Sequence, residues 1–209
     1  MSSTGLILFH SPTSPYVRKV MVLLRETGLL DNVTLRDTQT SPTQISPELN
    51  ACNPCGKVPA LRLADGSVLH DSRVILDYLD HLHEGTPLIP RQGPVRWHRL
   101  TLASQADALL DAALLVRYET FLRPQEKRWD AWLEGQQGKI ERALQQLEQH
   151  AIDDLHSAFD IASISVACAI GYLDFRQAEL GWRQRFPRLA AWYAEVSQRP
   201  SMTSTRPPA

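Results

Sequence analysis

The chain has 209 residues, 43% hydrophobic and 22% charged, which suits one large or two small globular domains and excludes a disordered segment. Its net charge of −1 supplies no general field for a polyanion, so neither nucleic acid nor an anionic membrane surface is expected as a partner. No apolar run approaches the ~18 residues of a membrane span; residues 1–5 are too short and polar for an export signal and the three cysteines are an odd number, so the expected compartment is the cytoplasm.

In chain order, Leu6-Ile7-Leu8-Phe9 reads as a buried strand and His10 to Thr13 as a loop. Ser14-Pro15-Tyr16-Val17-Arg18-Lys19 opens a helix that runs to Gly28, with Ser14 as N-cap and Pro15 at the first helical position. A strand, a loop and a helix N-terminus make an anion site. In thiol redox enzymes the attacking cysteine of a C-P-Y-C turn sits there, its pKa lowered by the helix dipole. Here Ser14 and Val17 stand at the two cysteine positions, so that disulfide cannot form. What remains is a hydroxyl suited to holding another molecule's thiolate.

A second strand is expected near 33–36, then Pro59 to Leu63 and Ser67 to Leu69 as strands about an Asp65-Gly66 turn, and a helix from Asp71 to about His83. The first 83 residues therefore read as βαβ followed by ββα. Residues 84–94, with Gly85, Pro87, Pro90, Gly93 and Pro94, read as a linker. Residues 95–209 read as all helical. Trp97, Leu100, Ala103, Leu110 and Leu114 mark the apolar face of one helix, and Trp129, Trp132, Leu133, Ile140, Leu144 and Leu147 that of another. Ile161 to Phe175 and Phe186 to Val196 mark two more, while the polar, Pro-rich stretch 201–209 is expected to cross the surface. The fold class is α+β.

Two further clusters carry chemistry. In Asn53-Pro54-Cys55-Gly56-Lys57-Val58-Pro59, Pro59 either starts an edge strand or is cis and lets Val58 pair its backbone with a peptide-like ligand. Asp71-Ser72 is either a plain helix cap or a site for a ligand's charged end, its ammonium paired with Asp71.

Taken together, the Ser-Pro-Tyr-Val-Arg-Lys turn, the Asn-Pro-x-Gly-Lys-Val-Pro loop, the Asp-Ser helix start, the Pro-Leu-Ile-Pro segment and the helical second half resemble the cytosolic glutathione transferases, over nearly the whole length. Ser14 is similar to the catalytic serine of the theta, phi and tau-like classes. The resemblance implies a thioredoxin-like domain that binds glutathione, with Ser14 donating to its sulfur and Lys57 meeting the glycyl carboxylate or nearby backbone. Val58 would pair with the cysteinyl amide ahead of a cis Pro59, and Asp71 with Ser72 would hold the γ-glutamyl end. It further implies a homodimer and a small hydrophobic electrophile bound between the domains, for which Gln105, Leu109 and Tyr118 are candidate wall residues. The magnitudes fit: lowering a thiol from about 8.5 to about 6.5 needs ~2.7 kcal/mol. One charge-assisted hydrogen bond supplies about 1.5–3 kcal/mol, and a helix N-terminus about 0.3–1 more. Glutathione is thus a cosubstrate, and no metal or organic cofactor is needed.

Other residues have plainer readings. Ser11 is the rival to Ser14, being near the position of the important serine in the zeta class, but only Ser14 matches the C-P-Y-C turn. Cys52 and Cys55 have C-x-x-C spacing without the second pair zinc needs, and Cys168 reads as a buried small hydrophobe. His81 and His83 lie on different helix faces, against joint metal ligation. Arg18, Lys19 and Arg73 read as solvated or ion-paired, with contact to the thiol site or a subunit interface as the alternative, and Asp160 as the N-cap of a helix in which Ser163 replaces the usual reciprocal acid. Rival functions are a glutathione-dependent isomerase, dehalogenase or lyase, a disulfide reductase using Cys52 and Cys55, or a non-enzymatic binding protein of the same fold.

Overall fold

The computed structural model describes residues 5–208, which divide into two compact units: residues 1–88 with 200–209, and residues 89–199. The polar stretch 1–4 and residue 209 lie outside the described residues.

Unit 1 is built on a four-stranded sheet of order β2-β1-β3-β4. Strand β1 (Leu6–His10) is central, and Leu6, Leu8 and Phe9 are all buried, as befits a strand covered on both faces. It pairs in parallel with β2 (Val33–Asp37), Leu8 opposite Leu35, and antiparallel with β3 (Ala60–Arg62), Leu8 opposite Leu61. β3 pairs antiparallel with β4 (Val68–Leu69) across a turn that Asp65 braces by accepting from the Ser67 N–H at 2.9 Å and its hydroxyl at 2.6 Å. Helix α1 (Pro15–Glu26) crosses from β1 to β2, and α3 (Ser72–Asp80) packs against it. Both ends of α1 follow the sequence: Ser14 caps the start, and the chain leaves through Gly28 at φ +70°. Sequence reasoning missed α2 (Pro47–Cys52), a six-residue helix before β3.

Two corrections belong to this unit. Of the stretch expected to cross the surface, residues 203–208 are exposed or half-buried, but Ser201 and Met202 are buried in α10 (Pro200–Thr203), which packs on α1. Arg18 and Lys19, for which a solvated place was one expectation, are buried. Arg18 donates to the Met202 carbonyl at 3.1 Å, and the Lys19 ammonium lies 5.6 Å from the centre of the Tyr16 ring.

Unit 2 is helical, as expected: α4 (Gly93–Arg117), α5 (Asp130–His150), α6 (Ile152–Ser157), α7 (Ile161–Arg176), α8 (Trp182–Arg185) and α9 (Pro187–Val196). Helix α7 is the core, buried from Ile161 to Leu173, with α4 and α9 packed on it; Cys168 lies inside it as predicted. Asp160 caps α7, accepting from the N–H groups of Ala162 and Ser163 at 2.9 and 3.4 Å. The Ser163 hydroxyl turns instead to the carbonyls of Ala158 and Leu155. The buried Arg99 grips Asp160 with two nitrogens at 2.6 Å each. Trp97 and Trp129, assigned to apolar faces, are both about two-thirds exposed: Trp97 lies in the second turn of α4 and Trp129 is the residue before α5. No helix among the described residues is long and apolar enough to cross a membrane.

Candidate glutathione site

The backbone N–H of Val17 donates to the Ser14 hydroxyl oxygen at 3.3 Å, which makes Ser14 a capping residue of α1. A hydroxyl has two lone pairs and one proton, so the cap uses an acceptor position and leaves the proton free to be donated outward. Ser11 is held differently. Its carbonyl accepts from the Ser14 N–H at 3.1 Å, and its hydroxyl lies 3.3 Å from that of Thr13, in the loop ahead of the helix. Of the two serines, only Ser14 has its oxygen at the N-terminus of a twelve-residue helix.

The 53–59 loop is a tight turn hung on a buried asparagine. Asn53 donates to the Lys57 carbonyl at 2.8 Å and accepts from the Cys55 N–H at 3.0 Å. Gly56 has φ +62°, a left-handed backbone that strains any residue with a side chain, while the Asn50 amide, 2.9 Å from where a Cβ would sit, could swing aside. Lys57 is exposed, and the Val58–Pro59 peptide is cis, one of the two alternatives left by the sequence. The Val58 side chain packs with Phe9, Val17, Leu49 and Ala60 in one apolar cluster, which joins the start of α1 to this loop. The Val58 N–H and C=O have no partner among the described residues. Cys52 packs against the same cluster and Cys55 is exposed; both are free thiols.

Asp71 is the N-cap of α3, following a cis His70–Asp71 peptide. Its carboxylate accepts from the Arg73 N–H at 2.9 Å, the Arg73 guanidinium at 3.1 Å and the Ser72 hydroxyl at 3.2 Å. Burial alone would raise the Asp71 pKa, but the Arg73 side chain and backbone and the Ser72 hydroxyl outweigh it and bring it down to about 2. Arg73 is thus ion-paired, as expected, while the Ser72 side chain is buried. Nothing in the local pattern indicates that Arg73 occupies part of the carboxylate expected for a ligand ammonium.

The residues expected to line an electrophile pocket all fall in unit 2. Leu109 is 1% exposed, part of the helical core, and is withdrawn as a pocket wall. Gln105 is partly buried, its side-chain N–H directed at the Ala143 carbonyl at 3.4 Å. Tyr118 is half-buried and opens a π-helical segment, Tyr118–Leu122, that continues α4.

The glutathione S-transferase N-terminal domain model matches residues 13–82 and the C-terminal domain model residues 130–195. The chain belongs to the glutathione S-transferase family. An uncharacterised GST-like protein of Escherichia coli, YibF, is 32% identical over 96% of this chain and 98% of its own length. A glutathione transferase family member from Pseudomonas fluorescens Pf-5, solved with bound glutathione, is 64% identical, with a TM-score of 0.97 over 98% of this chain and 100% of that one. A second structure from that organism, with bound S-(propanoic acid)-glutathione, is 63% identical, with a TM-score of 0.93 over 98% of this chain and 100% of that one. The family is the one that the turn, loop and cap motifs together with the helical second half resembled.

Proposed function

We propose that this transferase conjugates the thiolate of glutathione to a small hydrophobic electrophile. The observation that carries the reading is the Ser14 hydroxyl at the start of α1, its proton unspent, tied through the Val17–Val58 cluster to the unpartnered Val58 backbone. In this reading the cysteinyl amide of glutathione pairs with Val58 as an added strand would, and Ser14 donates to the sulfur. Lys57 meets the glycyl carboxylate, and Asp71 with Ser72 holds the γ-glutamyl ammonium, in competition with Arg73. Glutathione enters as cosubstrate and supplies the nucleophile, so the reaction asks no further cofactor of the chain. The Pseudomonas fluorescens relatives with glutathione and a glutathione thioether bound support it, and a homodimer belongs to the same proposal.

The test is Ser14→Ala, assayed with an aryl halide and by the ultraviolet absorbance of bound thiolate against pH. Turnover is expected to fall roughly tenfold to a thousandfold and the thiol pKa to rise, with glutathione affinity little changed. Because the cap is also lost, at about 1 kcal/mol, Ser14→Gly serves as a second variant that costs the helix only a few tenths. Wild-type titration and rate in both, with loss of both in Ser11→Ala, would transfer the role to Ser11.

A further inference from the structure

We propose that Arg117 and Arg176, at the ends of α4 and α7, form a binding site for the carboxylate of a small organic acid, built wholly within unit 2. Both arginines line a cavity of about 560 Å³ together with Val116, Thr120, Gln177 and Leu180. That volume exceeds what one carboxylate fills and lies within the ordinary range for small-molecule sites.

Both guanidiniums line the same cavity, close enough for the charge of one to act on the other, and neither has a carboxylate in salt-bridge contact among the described residues. Each lies over a ring: Arg117 is 3.5 Å from the centre of Phe121, and Arg176, which also donates a hydrogen bond to the Tyr172 hydroxyl, is 3.7 Å from that of Phe175. Buried Gln177 donates to the Ala113 carbonyl at 3.1 Å and so ties the end of α7 to α4. Burial, then the neighbouring charge of Arg176, lowers the Arg117 pKa: two like charges are being kept close without a counter-ion. Behind them Tyr172 is pushed up to about 12, chiefly by burial, so it stays a neutral phenol and offers no negative charge of its own. The π-helical turn that begins at Tyr118 places Thr120 at the cavity wall.

An anion brought between the two forks relieves their repulsion and accepts in-plane N–H donors, which a planar carboxylate matches. The remaining charges at the cavity decide which anion. Arg185 is bonded to Glu141, and Glu179 is exposed at the cavity with no ion-pair partner among the described residues, so a dianion meets repulsion that a monoanion largely escapes. Val116 and Leu180 in the cavity wall suit an apolar body behind the charge. The ligand class is an apolar monocarboxylic acid.

Calorimetric titration of the full chain with benzoate, benzyl alcohol and inorganic phosphate tests this. Benzoate is expected to bind saturably, at least about tenfold tighter than either of the others, and to weaken between low and high potassium chloride. Arg117→Gln and Arg176→Gln should each weaken benzoate about tenfold to a hundredfold, the loss of one charge-assisted hydrogen bond. Arg117→Lys should recover only part of the loss, since it restores charge without the fork. Glutathione affinity and melting temperature, measured on each variant, should hold. Equal binding of benzyl alcohol, tighter binding of phosphate, unchanged benzoate binding in both Gln variants, or a parallel loss of glutathione binding overturns the proposal.

Discussion

Asp71 shows how one carboxylate is shared between folding and binding. Its bonds to Arg73 and Ser72 are local, within two residues, and they hold its pKa at about 2 against 3.8 for the free side chain. The folded pKa lies below the unfolded one, so the stabilisation is complete above about pH 4 and is lost as the pH falls towards 2. Arg73→Gln removes the guanidinium partner, and the Asp71 carboxyl titration followed by carbon NMR should then move up towards 3.8. A midpoint unchanged in that variant would assign the depression to the cap N–H and Ser72 alone. Asp71 stays ionised from about pH 4 upwards, so a γ-glutamyl ammonium would meet a carboxylate throughout the physiological range.

Among the elements, α7 depends most on a partner distant in sequence. Asp160 caps it, and Arg99, 61 positions earlier, holds Asp160 with a two-pronged grip at a buried site. Asp160→Ala removes the cap and strands a buried guanidinium, so urea unfolding should show a loss of about 3–5 kcal/mol. Asp160→Asn keeps a capping oxygen and should cost less. The contrast between the two partners also explains what the sequence disclosed. The Asp160 cap, the Ser14–Pro15 start of α1 and the Gly28 exit were legible because each signal lies within a few residues of the structure it makes. Arg99 was not, because nothing near position 99 announces a carboxylate 61 residues on. The same distinction separates the parts of the candidate site. The Ser14 cap and the Asn53–Pro59 turn could be read locally, whereas the competition of Arg73 for Asp71 depends on a rotamer. Leu109 was misread because helical periodicity gives a face without saying what covers it, and α2 was missed because six residues carry too little periodicity.

At the scale of the molecule, unit 1 is assembled from two stretches of chain with all of unit 2 between them. Arg18 and Met202 meet across 184 positions, so the helix that carries Ser14 at its start rests on residues from the far end of the sequence. Deleting residues 200–209 exposes the α1 surface that Met202 covers, a loss of about 1.5–3 kcal/mol, and leaves the buried Arg18 side chain short of an acceptor at about 1–3 kcal/mol more. The melting temperature should drop by several degrees, and glutathione affinity with it; a truncated protein with native values for both would deny α10 any part in holding α1. The arrangement also bears on how the protein is made. At ~5–20 residues per second, the roughly 110 residues between the two stretches occupy the ribosome for about 6–20 s. Through that interval the nascent sheet and α1 have an open apolar socket where Met202 will sit, and it closes only when residues 200–203, made after unit 2, reach α1.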